Sequence, residues 1–88
     1  MNTTHTSRPL GHVSAYLKSL ADQPPTNPEE NQAAAVTLAR HAAIEAQGLY
    51  ANESRIQARV SILTELAGTY RGLAETGLLL AAADASTL

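Results

Sequence analysis

The sequence predicts an all-α fold: a short N-terminal helix followed by a long antiparallel, coiled-coil-like helical hairpin. Three observations predict it. The run NQAAAVTLARHAAIEAQGLY at 31–50 is rich in alanine and has high helix propensity. The run RVSILTELAGTYRGLAETGLLLAAA at 59–83 repeats apolar residues at alternating spacings of four and three. Ahead of both, DQPPTNPEEN at 22–31 carries prolines that stop one helix and an Asn-Pro pair that opens another.

Residues 1–8 are polar and threonine-rich, and are expected to form a disordered tail, with residues 9–88 as a single α-helical domain. Ser7 and Pro9 offer a helix start, and Leu10, Val13, Leu17 and Leu20 then fall at spacings of three and four, which predicts one amphipathic helix over 9–22. Pro24 and Pro25 cannot continue it. Asn27 is a good N-cap, Pro28 suits the first helical position, and Glu29 and Glu30 complement the helix dipole, with Glu30 at the reciprocal capping-box position.

The second helix is expected from Pro28 to about Tyr50, its broad apolar face made by Val36, Ala39, Ala43, Ala46 and Tyr50 with Leu38, Ala42, Ile44 and Leu49 beside them. ANES at 51–54 then admits two readings. Gly48 and Asn52 are end signals, and Ser54 with Gln57 reads as a second capping box, which gives a hairpin. Against it, Ala42, Leu49, Ile56, Leu63, Tyr70 and Gly77 keep a seven-residue period through the same stretch, which gives one continuous helix. The hairpin is the favoured of the two.

In the last helix, Ile56, Val60, Leu63, Ala67, Tyr70, Ala74, Gly77 and Ala81 hold the alternation, and Leu66, Leu73 and Leu80 form a second line. That stripe is wider than a two-helix seam requires. Gly68, Gly72 and Gly77 each cost about 1 kcal/mol relative to Ala in a helix interior, so they mark either close helix approach or a segment that needs a partner to become helical.

Composition bounds the function. Eighty-eight residues make at most one domain, with a thin core of Leu, Ile, Val and Ala, because Phe, Trp and Cys are absent and Tyr16, Tyr50 and Tyr70 are the only aromatics. A net charge of −2 with six Lys and Arg makes no face suited to nucleic acid. The first residues lack the pattern of a cleaved secretory signal and GLLLAAA is too short to span a bilayer. A cytoplasmic protein, or one exported without a cleaved signal peptide, is expected.

His5, His12 and His41 lack the spacing of a zinc helix, and His41 with Glu45 at i, i+4 reads as a local helix-face pair. The carboxylates are scattered. No catalytic residue, metal ligand or cofactor is assigned. Arg55 and Arg59 stand in the first turns of the last helix, where the dipole disfavours cations; they are read as a solvated face or as the rim of a contact with an acidic partner surface, which Arg40 shares in a hairpin. Tyr50 and Tyr70 read as core residues with wet hydroxyls, or as interface anchors.

The order of features resembles a known family. LADQPPTNPE at 20–29 and LYANES at 49–54 are similar to the turn and helix-end motifs of the needle and inner-rod subunits of type III secretion systems, with Leu20, Ala21, Pro24, Asn27 and Pro28, then Leu49, Tyr50, Asn52 and Ser54 at the matching positions. The segment between these motifs is longer than the family's, and LLLAAADASTL differs from its C-terminus. Small helical co-chaperones of such subunits share the hairpin character, and the RPL and Pro-Pro-Thr features resemble small anti-activators of quorum-sensing transcription factors. The resemblance implies a helical hairpin that associates with copies of itself or with a protein partner.

From these readings the expected work is non-enzymatic helix-mediated association, as a structural or accessory component of a secretion apparatus. The contact face is expected at Leu63, Leu66, Tyr70, Leu73 and Leu80, rimmed by Arg55 and Arg59, against a copy of the chain or a protein partner. The alternative is a helical regulator that sequesters one partner through the same stripe.

Overall fold

The computed structural model describes the backbone of residues 3–87 and the side chains of residues 13–86. Three helices follow in order: α1 (Thr3–Asp22), α2 (Pro28–Ala46) and α3 (Ser54–Thr87). The fold is all-α, with α2 and α3 packed as an antiparallel hairpin.

The backbone of α1 is already helical from Thr3, so its range takes in residues 3–8, which the sequence reading gives to a tail. Pro9 lies inside it and has no N–H for the helical ladder. Residues 1 and 2 of that tail, and the side chains of His5, Leu10 and His12, lie outside the described residues. The far end of α1 is the one the prolines dictate: Gln23 N–H donates to Ser19 O at 2.9 Å, and Lys18 pairs with Asp22 at 3.0 Å on the exposed face.

Helix α2 starts as its cap residues require. Asn27 is extended (φ −143°, ψ 166°), and its Oδ1 accepts from Glu30 N–H at 2.8 Å. Glu30 reaches back one residue further than a standard capping box, its Oε1 accepting from Thr26 N–H at 2.9 Å and from Thr26 Oγ1–H at 3.2 Å. Two groups at the exposed entrance are thereby satisfied reciprocally.

The two readings of residues 51–54 resolve as a hairpin. Helix α2 ends at Ala46, short of Tyr50, and residues 47–53 form a run of turns in which Gly48 N–H donates to Glu45 O, Ala51 N–H to Gly48 O and Glu53 N–H to Tyr50 O. Gln57 N–H donates to Glu53 O at 2.9 Å, so α3 opens with Glu53 in the cap position and Ser54 as its first helical residue. The seven-residue period crosses this loop only on paper: Leu49, one of its members, is 95% exposed.

Leu38 and Leu63 are fully buried at the centre, with Val13, Ala42 and Ala67 around them. Each of the two leucines contributes about 1.5–3 kcal/mol. Tyr16, Leu17 and Leu20 lay the apolar stripe of α1 onto this core, and the Tyr16 ring stands 6.2 Å from that of His41 on α2. The first helix is thus a third wall of the core.

Lengths decide the rest. Helix α2 has 19 residues and α3 has 34, roughly 28 Å against 51 Å at 1.5 Å per residue. At the start of α2, Pro28 meets Gly77 of α3, so closely that a Cβ at 77 would stand 2.8 Å from Pro28 Cγ. Beyond Gly77, α3 runs on with no α2 beside it.

Candidate association surface

The residues expected to form one contact face divide among three environments. Leu63 has no exposed surface and belongs to the chain's own core, so it is corrected from surface to interior. Leu66 and Tyr70 are partly buried against the same core, in the company of α1 residues Tyr16, Leu17 and Leu20. Part of the leucine line is therefore taken up by the chain's own core. Leu73, at 50% exposure, and Leu80, at 62%, do face outward.

The two arginines also part company. Arg55 is exposed and stands 3.6 Å from Glu53 in the loop, a contact worth a few tenths of a kcal/mol at most. Arg59 turns inward between α2 and α3, its Nε 2.7 Å from Glu45 Oε1, with the Glu45 side chain 6% exposed and that of Arg59 21%. It is corrected from rim cation to interhelical partner. The arginine N–H is not aimed at the oxygen, and Nε and both carboxylate oxygens lack an aligned hydrogen-bond partner among the described residues. The contact is therefore electrostatic first. Glu45, expected to pair locally with His41, instead ties the two helices near the hairpin tip.

Sequence reasoning missed a groove on the hairpin. Ala39, Ala43 and Ala46 of α2 face Val60, Thr64 and Gly68 of α3 across a shallow, mainly apolar trough of about 330 Å³ with Arg71 at one end. A Cβ at Gly68 would meet nothing within 4 Å. The signal was present as an Ala, Ala, Ala spacing in α2 opposite a glycine in α3, but alanine reads as helix filler until a register is known.

It also passed over Leu78 and Leu79. With Leu80 they are 61–71% exposed, on the part of α3 that has outrun α2. From Gly77 to Ala83 this segment is apolar on every side, and a helix of that kind is normally enclosed.

Among the described residues, no group of three or more His, Cys, Asp or Glu side chains could hold a metal ion, and no helix is long and apolar enough to cross a membrane. Comparison of the chain with protein-family models, with curated proteins and with solved structures finds no match.

Proposed function

We propose that this protein acts by helix-to-helix association, without catalytic chemistry, as a small structural or accessory component of a secretion apparatus. The observation that carries the association reading is the length mismatch: α3 extends past Gly77 with Leu78, Leu79 and Leu80 exposed on a helix apolar all round. Such a segment gains by being covered, at roughly 25 cal/mol per Å² of apolar surface removed from water. Support for the secretion setting comes from the sequence likeness at 20–29 and 49–54 to needle and inner-rod subunits. The Asn-Pro start of α2 and the exposed Leu49 and Tyr50 of the tip lie on those two motifs.

The test is light scattering after size exclusion across a hundredfold range of protein concentration, on the full chain and on a variant with Leu78 and Leu79 both changed to Ser. Mass that climbs without limit marks a polymerising subunit, and mass that stops at a dimer marks an accessory role or a sequestering one. A full chain that remains monomeric throughout, with the variant indistinguishable from it, would refute self-association through this segment.

A further inference from the structure

The groove and one side of the overhanging end of α3 lie on the same face of that helix. Val60, Thr64, Gly68, Arg71, Glu75 and Leu78 fall within about 80° of arc at 3.6 residues per turn, and Ala82 and Ser86 continue the line. We propose that this face pairs with the same face of a second copy, antiparallel about a twofold axis passing at residue 73. This rests on the association reading above and names both its surface and its partner.

Register is what selects a second copy over any other occupant. With residue 73 at the dyad, Leu78 of each protomer comes opposite Gly68 of the other, a convex side chain over an open position. Ala82 comes opposite Thr64 and Ser86 opposite Val60, small groups throughout. Arg71 comes opposite Glu75, and by symmetry Glu75 opposite Arg71, which gives two reciprocal ion pairs, whereas a register shifted by one helical turn sets like charges against each other. The paired stretch from Val60 to Ser86 is roughly 40 Å of helix. Over that length each overhang lies in the other protomer's trough, with Ala39 and Ala43 of α2 as the second wall. One operation thus fills the trough and covers Leu78, on the side of the overhang that shares this face.

Charge reversal tests the register between molecules. Arg71→Glu alone places Glu opposite Glu75 at both pairs, and Glu75→Arg alone places Arg opposite Arg71; each is expected to raise the dimer dissociation constant by about tenfold or more. Mixed together, the two variants restore opposite charges at both positions, while each chain keeps its own like-charged pair within the helix. Mass by light scattering should therefore return to the dimer on mixing and for neither variant alone. Gly68→Leu, which blocks the slot for Leu78, should raise the melting temperature of the monomer and weaken the dimer.

Three results overturn the proposal: a wild-type chain that is monomeric across the concentration range, singly reversed variants that dimerise as wild type does, or weakened variants that mixing fails to rescue. In the second and third cases the chain still self-associates, so the association reading stands and only the face and register fall. The first removes self-association altogether.

Discussion

Gly77 and Pro28 hold the hairpin closed at its open end: there is no room between them for a methyl group, since a Cβ on residue 77 would lie 2.8 Å from Pro28 Cγ. A proline ring at a helix start has little freedom to give way. Gly77→Ala gains about 1 kcal/mol of helix propensity and meets overpacking of about 1–3 kcal/mol, so a net loss of about 1 kcal/mol is expected. Gly72→Ala, with nothing within 4 Å of the new Cβ, should gain about 1 kcal/mol. Urea unfolding at one fixed protein concentration should move the two midpoints in opposite directions; if both rise, α3 does not pass this close to α2.

The Glu45–Arg59 contact predicts an asymmetric pair of alanine variants. Removing Arg59 strands a carboxylate that is 6% exposed and should cost about 2–3 kcal/mol. Removing Glu45 leaves an arginine side chain with a fifth of its surface already exposed, which can extend to water, so the loss should be smaller by about 1 kcal/mol. Glu45→Leu combined with Arg59→Met should bring stability back to within about 1 kcal/mol of the parent. A double-mutant cycle by chemical denaturation measures all three, and equal single losses would show that the pair is not buried in this way.

At the start of α2, Asn27→Ala should cost about 1 kcal/mol and Asn27→Asp little, because the acceptor for Glu30 N–H is kept. Glu30→Ala removes the acceptor serving Thr26 and should cost about 0.5–1 kcal/mol. Thermal unfolding followed by circular dichroism checks both. A neutral Asn27→Ala would move the helix start elsewhere.

Two leucines of one apparent stripe should behave differently. Leu63→Ala opens a cavity at the centre of the core and should cost about 2–5 kcal/mol, enough to unfold much of a small domain at 37 °C. Leu80→Ala should change monomer stability by no more than about 0.5 kcal/mol. Denaturation at a concentration where the chain is monomeric separates them, and a large effect at Leu80 would mean that the end of α3 folds back onto the chain.

What could be read from the sequence was local chemistry and period. Asn27, Pro28 and Glu30 announce a helix start through groups within four residues of each other, and the structure has it there. The alternating line through Leu63, Ala67 and Ala74 likewise lands on the core. Circumference was the harder problem, because α3 carries apolar residues around more than half its surface and a period alone cannot say which third α1 will cover. Leu66 is expected on the contact face for that reason, and Tyr70 either there or in the core, whereas both pack partly on the core. Arg59 was misread because its partner lies across a loop whose turn was undecided. Once Pro28 is set against Gly77, the register runs back from Glu45 and forward from Arg59 by the same distance to within a residue, and the pair follows.

A final consequence of the outrunning helix is hydrodynamic. The radius of gyration is 16.0 Å, where a compact chain of this length has about 12 Å. A globular protein with that radius would have roughly twice as many residues. On a calibrated gel-filtration column the single chain should therefore elute in the position of a compact dimer, and a paired rod should elute earlier still, so retention volume overstates assembly at every step while scattered intensity does not.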